Sequence, residues 1–241
     1  MNYILFDASR DSLKPLTYIR PVCEIRIGIL TIREKWEKYL GDKTSTITEN
    51  YLSAKYPTAH SEEMMLINGS ICPTPSLVEE IKNLKVGQAL VSGNNVIAMY
   101  KTKEQFLSDE DSTQEVSFEG EFIKITNPWD IFALNDKALR EDFKLLTQGR
   151  KSAALSDTNR VLGKENIFVE EGAEVEFAVL NAKEGPIYIG KDAQIMEGSV
   201  VRGPFAMCEH SVLKMASKIY GATTLGPYVK VGGEVSNVVI F

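Results

Sequence analysis

From Ile189 onward an aliphatic side chain returns at every sixth position: Ile189, Ile195, Val201, Met207, Leu213, Ile219, Leu225 and Val231. Four places after each of them the residue is small or apolar (Ala193, Ser199, Ser211, Ser217, Thr223, Val229, Val235), and only Phe205 is bulky. Gly190, Gly198, Gly203, Gly221, Gly226, Gly232 and Gly233 all fall one to three places after the aliphatic residue. Glycine tolerates the dihedrals of a corner, so that half of the hexad reads as the turn. An amphipathic helix repeats about every 3.6 residues and a half-buried strand every two. A strict six instead predicts a short strand plus a corner, stacked into a parallel solenoid with aliphatic layers inside. Val169 and Val175 keep the step upstream, and the phase slips by two across residues 181–186, which predicts a corner loop there. The solenoid is therefore expected over residues 166–241. Val238–Phe241 is apolar and has no polar cap, which by the rules for solenoid ends reads as a β-helix incomplete at its C-terminus.

The first half has a different rhythm. Tyr3–Phe6, Met64–Ile67, Ala89–Val91 and Val96–Met99 read as buried strands. Thr31–Leu40 predicts a helix with Ile32, Trp36 and Leu40 on one face and Gly41 as terminator. Ser76-Leu-Val-Glu79 reads as a capping box opening a second helix after Pro75. Residues 101–126 are polar and aperiodic and read as a loop or small excursion. Asp130 is the expected N-cap of a helix running to Gln148 and stopped by Gly149. The alternation predicts an α/β domain with a mostly parallel sheet over residues 1–149, joined to the solenoid by a linker over 150–165.

Composition narrows the possibilities. The chain has 241 residues, 44% hydrophobic and 25% charged, as in ordinary globular proteins. A net charge of −6 argues against a sequence-independent grip on nucleic acid. No apolar run reaches the roughly 18 residues of a membrane span, and the N-terminus reads as a strand rather than a signal peptide. Cys23, Cys72 and Cys208 are far apart, which predicts neither a disulfide framework nor a zinc cluster and fits a cytoplasmic location.

Two segments carry a resemblance. Ile4-Leu-Phe-Asp-Ala-Ser-Arg-Asp-Ser-Leu-Lys-Pro-Leu-Thr17 resembles the opening strand and loop of sugar-phosphate nucleotidyltransferases, I-L-A-G-G-x-G-T-R-L-x-P-L-T. Pro128-Trp-Asp-Ile-Phe-Ala-Leu-Asn135 resembles the P-W-D-x-x-x-x-N element that closes that domain in enzymes with a hexapeptide C-terminus. Ile189-Gly-Lys-Asp-Ala, Leu225-Gly-Pro-Tyr-Val and Val231-Gly-Gly-Glu-Val resemble the coils of hexapeptide acyltransferases. This order of domains is that of the bacterial bifunctional N-acetylglucosamine-1-phosphate uridyltransferase/glucosamine-1-phosphate acetyltransferase family, of which the chain looks like a divergent branch. The resemblance implies a reduced Rossmann-like nucleotidyltransferase domain followed by a left-handed parallel β-helix of hexapeptide repeats. It also implies a homo-oligomer, by the family's habit a trimer, with a nucleoside triphosphate and a sugar-1-phosphate as substrates, Mg²⁺ as cofactor and acetyl-CoA as a candidate acyl donor.

Nucleotidyl transfer needs a loop that lets backbone N–H groups approach phosphate, cations to offset charge, and a metal to hold pyrophosphate. Asp7-Ala8 stand where the family has its glycine pair, Ser12 where it has the loop arginine, Val22 where it has a lysine, and Ser70 where it has the metal-binding aspartate. Arg10, Lys14, Arg20 and Arg26 remain as candidate nucleotide and phosphate ligands. Asn135 matches the family's metal-ligand asparagine. Acyl transfer on such solenoids uses a histidine base, and the chain has two, His60 and His210. Arg202, His210 and Lys230 are the candidate acyltransferase cleft, each with the alternative of a solvated prism surface. Cys208 reads as inert.

Two functions follow. One is a sugar-phosphate transferase of nucleotide-sugar biosynthesis, working by nucleotidyl transfer, acyl transfer or both on a hexosamine-1-phosphate. The other is a catalytically degenerate regulatory or oligomerisation module, which Asp7, Ser12 and Ser70 favour.

Overall fold

The computed structural model describes residues 2–108 and 113–241. The chain divides into two compact units, Met1–Ile25 with Thr31–Pro128, and Arg26–Leu30 with Trp129–Phe241. Residues 129–149, and a five-residue segment from far upstream, thus go with the solenoid rather than with the α/β domain in which the sequence pattern put them.

In the first unit the elements run β1 (Asn2–Phe6), α1 (Ile32–Leu40), β2 (Thr44–Ile47), β3 (Glu63–Asn68), α2 (Pro75–Asn83), β4 (Gln88–Ser92), β5 (Asn95–Thr102), α3 (Lys103–Leu107) and β6 (Gln114–Ser117). One mixed sheet has the order β2-β1-β3-β5-β4-β6. β1 is parallel to β2 and β3, and β4 to β6, while β5 runs against both neighbours. The reversal comes from a two-residue turn at Gly93-Asn94, with Gly93 at φ +54, the chemistry a tight hairpin requires. Otherwise the sheet is parallel, as the alternation predicts.

Helix α1 begins at a capping box: the Glu34 N–H donates to Thr31 Oγ1, and the Thr31 N–H to Glu34 Oε2. Ile32 and Trp36 are fully buried, and the indole N–H is satisfied by the Ile71 carbonyl at 2.8 Å. Gly41 ends the helix in the left-handed region, at φ +72. Three readings need correction. The cap of α2 is Thr74, whose Oγ1 accepts the Leu77 N–H; Pro75 takes the first helical position, where its missing N–H costs nothing, so the Ser76 box does not form. Residues 101–126 carry the end of β5, α3 and β6, apart from 109–112, which lie outside the described residues. The helix expected from Asp130 to Gln148 is two helices, α4 (Pro128–Ala133) and α5 (Asn135–Thr147), parted at Leu134.

The second unit holds fourteen short strands: β7 (Arg160–Leu162), β8 (Ile167–Val169), β9 (Glu174–Val175), β10 (Val179–Asn181), β11 (Ile187–Ile189), β12 (Gln194–Ile195), β13 (Val200–Arg202), β14 (Phe205–Met207), β15 (Val212–Leu213), β16 (Lys218–Tyr220), β17 (Thr223–Leu225), β18 (Lys230–Val231), β19 (Glu234–Ser236) and β20 (Val239–Ile240). They form three all-parallel sheets, β7-β10-β13-β16-β19, β8-β11-β14-β17-β20 and β9-β12-β15-β18. This is the left-handed β-helix, its first coil starting at β7, inside the expected linker. Phe205 pairs with Ile187 and Met207 with Leu225, eighteen residues apart, or three hexads. Ile187 pairs with Ile167, twenty apart, and the two extra residues are the phase slip in the sequence.

The interior is as the periodicity predicts. Ile189, Ile195, Val201, Met207, Leu213, Ile219 and Leu225 are almost wholly buried in one core. The small polar residues four places on are buried too; the hydroxyls of Ser211, Ser217 and Thr223 cap corner carbonyls three residues back, while Ser199 donates to the Lys214 carbonyl of the next coil. Ser211 donates to Cys208 O and Ser217 to Lys214 O, so no buried hydroxyl is left unsatisfied there. The corners, however, are not reserved for glycine: Phe177, Asp192, His210, Ala216 and Tyr228 all adopt positive φ. Some glycines have another cause. A Cβ on Gly203 would stand 2.2 Å from the Gly185 carbonyl oxygen, so close passage of stacked corners demands glycine.

The second sheet is buried on both faces. Its outward residues Phe168, Tyr188 and Ala206 pack with Leu139 and Leu146 of α5 and with Ile29 and Leu30. That apolar layer explains why 129–149 and 26–30 belong with the β-helix.

Candidate active site

In the first unit the loop leaving β1 is folded onto its own charges. The Asp7 carboxylate accepts the Val22 N–H at 2.6 Å through Oδ1, and Arg10 Nη1 and Thr48 Oγ1, each at 2.7 Å, through Oδ2. Arg10 Nη2 donates to the Thr17 carbonyl at 2.5 Å and to the Tyr51 hydroxyl at 2.6 Å, and Tyr51 in turn donates to the Tyr18 carbonyl. Thr17 returns a bond from Oγ1 to the Arg10 carbonyl. The Arg10 and Asp7 side chains are 10% and 7% exposed. Burial opposes the guanidinium's charge, but Asp7 and the Tyr51 hydroxyl outweigh it and raise the Arg10 pKa.

Beside this network lies a hollow of about 410 Å³, lined by Phe6, Asp7, Ala8, Arg10, Ile47, Thr48, Glu49 and Asn50. It sits at the C-terminal ends of the adjacent parallel strands β1 and β2, where open α/β sheets bind ligands. The turn after β3 is built by Asn68-Gly69-Ser70. Asn68 Oδ1 accepts from both the N–H and the hydroxyl of the fully buried Ser70. The Gly69 N–H donates to the Phe6 carbonyl at 2.9 Å, and a Cβ on Gly69 would lie 2.9 Å from that same oxygen.

Of the four candidate phosphate ligands, Arg10, Lys14 and Arg20 lie in the first unit and Arg26 in the second. Arg10 is committed to the loop. Lys14 is exposed, paired with Asp11 at 2.7 Å and 5.7 Å from the Tyr18 ring centroid. Arg20 is half-buried, and its carbonyl accepts from Arg10 at 3.4 Å. Arg26 belongs to the second unit, where it is buried and its guanidinium donates to the Ile29 carbonyl and contacts Cys208 Sγ. Asn135 also lies there and is fully buried. Its Oδ1 accepts the Gly28 N–H at 2.7 Å, and its Nδ2 donates to the Ala222 carbonyl at 3.0 Å and to Thr224 Oγ1 at 3.2 Å. The amide is thus a clamp on backbone groups of its own unit, with Oδ1 and Nδ2 both engaged. Asp142, not singled out by the sequence, does parallel work: its Oδ2 accepts the N–H groups of Ile29 and Leu30 at 2.7 and 3.0 Å. The only sequence signal was a buried-face polar residue at an otherwise apolar helix position.

On the β-helix, Arg202 points outward from β13 in the first sheet and Lys230 outward from β18 in the third, so they leave different faces. His210 is at the corner between the second and third sheets. Its Nε2 is 3.9 Å from Asp192 Oδ2, and its ring stacks on Tyr228 at 4.8 Å. The three residues hold the same left-handed corner on successive coils, so their side chains form one exposed column. His60 packs instead against Phe106 in the first unit.

Residues 3–151 match the family model of sugar nucleotidyl transferases. The chain belongs to the sugar nucleotidyl transferase family. A search of curated proteins gives no match. Membership agrees with the mixed, mostly parallel sheet and with a hollow at its carboxyl edge. The family implies nucleotide and sugar-phosphate substrates, and the stretch it spans includes both the β1 loop and α5. Within the stretch matched by the sugar nucleotidyl transferase family, the β1 loop is closed by an internal carboxylate–guanidinium pair. No helix among the described residues is long and apolar enough to cross a membrane.

Proposed function

We propose that the protein is a nucleotidyltransferase of nucleotide-sugar biosynthesis that brings a nucleoside triphosphate and a hexosamine-1-phosphate together at the hollow beside β1 and β2. The observation that carries this reading is the position of the hollow, at the carboxyl ends of parallel strands within the stretch matched by the family. In such a reaction an oxygen of the sugar phosphate attacks the α-phosphorus and pyrophosphate leaves. The chain would contribute positioning: Thr48 and Asn50 as hydrogen-bonding groups, and Lys14, exposed and paired with Asp11, as a cation of the loop.

The expected Mg²⁺ has a poor seat among these residues. Ser70 replaces the carboxylate and is bonded to Asn68, Asn135 is engaged by backbone, and Asp7 already accepts three donors. Among the described residues no group of three His, Cys, Asp or Glu side chains is placed to hold a metal. A divalent ion would enter as part of the nucleotide complex. The reading is tested by calorimetry with UTP, dTTP and GTP in the presence of Mg²⁺, followed by pyrophosphate release with glucosamine-1-phosphate and its N-acetyl form. Absence of binding to all three nucleotides would defeat it.

A second reading, a catalytically silent regulatory or oligomerisation module, is favoured by the same internal pair that closes the loop. Nucleotide binding without pyrophosphate release would select it. Acyl transfer by a β-helix assembled as a trimer has His210 beside Asp192 as its candidate base. Release of free thiol from acetyl-CoA with glucosamine-1-phosphate, lost on His210→Ala, tests that part separately.

A further inference from the structure

Val22 N–H, the Arg10 guanidinium and the Thr48 hydroxyl converge on the two oxygens of one carboxylate. A backbone amide, a nine-tenths buried guanidinium and a hydroxyl are the donor set of an oxyanion site. Here the anion is part of the chain. We propose that these three donors form a phosphate-binding site that Asp7 fills in the ligand-free protein, so that an incoming phosphate binds by displacing the Asp7 carboxylate. Asp7 thereby sets the affinity.

Three observations carry this. The donors come from separate places in the chain, the 3-10 turn after Pro21 (Val22), the β1 loop (Arg10) and the end of β2 (Thr48), so they are not the by-product of one local turn. Asp7, Arg10 and Thr48 also line the 410 Å³ hollow, so an anion entering from it meets the carboxylate at the wall and the carboxylate has space to swing into. Finally, the donors are held without Asp7. Arg10 is fixed by the Thr17 carbonyl and the Tyr51 hydroxyl, and Val22 is part of a buried turn, so removal of the carboxylate leaves a preformed cradle rather than a collapsed loop. Without Asp7 the Arg10 guanidinium keeps only the more distant Glu49 carboxylate, 3.9 Å from its Nε, and the buried Val22 N–H is left unsatisfied; both are costly, which is why a replacement anion should be taken up. The chemistry recognised is a phosphate group, whether free or carried on a nucleotide or a sugar.

The test is chemical rescue. Asp7→Ala should melt well below the parent in phosphate-free buffer, and inorganic phosphate should restore its melting temperature along a saturable curve. The parent should respond to the same additions weakly or not at all. Asp7→Asn keeps the shape without the charge, and should bind inorganic phosphate at least about tenfold more tightly than the parent, the difference expected for one charge-assisted contact. Arg10→Gln added to either variant should abolish the gain. Parallel titrations with a nucleoside triphosphate and with glucosamine-1-phosphate show which carrier presents the phosphate. Because inorganic phosphate is the primary probe, a protein that binds no nucleotide can still pass. The idea is overturned if folded Asp7 variants gain no phosphate affinity, if the gain survives Arg10→Gln, or if neither variant folds even in saturating phosphate.

Discussion

Asn135 accepts the backbone N–H of Gly28 at 2.7 Å, joining residues 107 apart in sequence inside the β-helical unit. The same amide group donates to Ala222 and Thr224, so one side chain ties the 26–30 segment, the start of α5 and the fourth coil together. Replacing it with alanine leaves the Gly28 N–H and the Ala222 carbonyl buried without partners. Asn135→Ala should therefore destabilise the β-helical unit by about 2–4 kcal/mol, read from urea unfolding of the full chain. A loss below about 0.5 kcal/mol would mean that water replaces the amide, contrary to this account.

Gly28 itself should resist any side chain. It has φ +74, and a Cβ would fall 2.5 Å from Asp142 Oδ2 and 2.8 Å from the Ala138 carbonyl group. Backbone strain and clash act together, so Gly28→Ala should cost at least about 2 kcal/mol in the same experiment. An alanine tolerated at full stability would contradict the packing of α5 on this segment.

Phe205 occupies a hexad slot that elsewhere holds Ala193, Ser199, Ser211, Ser217, Thr223, Val229 or Val235, and it is completely buried. Its ring is stacked between Ile187 and Thr223 of the neighbouring coils, both fully buried. Phe205→Ala should cost about 3–5 kcal/mol through cavity formation. Ser211→Ala, which loses only the bond to Cys208 O, should cost about 1 kcal/mol. Urea midpoints of the two variants should differ in that order.

Burial pushes the Cys23 thiol up to about 12, against the partial relief offered by the neighbouring Arg33 guanidinium. In the unfolded chain the thiol ionises near its ordinary value of about 8.5. Between those values the unfolded state releases a proton that the folded state keeps, so this thiol's contribution to stability is whole below that range and falls as pH rises through it. The slope is roughly 1 kcal/mol per pH unit. Cys23→Ala should flatten the decline of urea stability between pH 9 and 11, and native Cys23 should resist alkylation at pH 8.5. An unchanged slope would remove the assignment.

The sixfold beat made the β-helix legible almost residue by residue, because every inward position of a coil recurs at a fixed spacing and burial leaves no choice of side chain. The strands of the α/β unit were legible where they are buried on both faces, as in Met64–Ile67. β2 was not: of Thr44-Ser-Thr-Ile47 only Thr46 is buried, so no apolar period marks it. The unit boundary was hidden for a related reason. α5 has an amphipathic face that would suit either half, and only the outward Phe168, Tyr188 and Ala206 betray a β-helix face awaiting cover. At the candidate site the sequence showed which residue types were present but not what held them. Arg10 and Asp7, read as a loose cation and an obstacle, turn out to complete each other, and Asn135, aligned with a metal ligand, is a backbone clamp.

The layer of α5 on the second sheet has one further effect. A three-sided prism offers three flat walls for association, and this chain has already covered one with its own helix. Self-assembly through the prism is left with the wall bearing Val200 and Tyr220, both nearly half exposed, and the wall bearing Lys230. The geometry of any such assembly is thus constrained by a helix already committed to the chain's own β-helix.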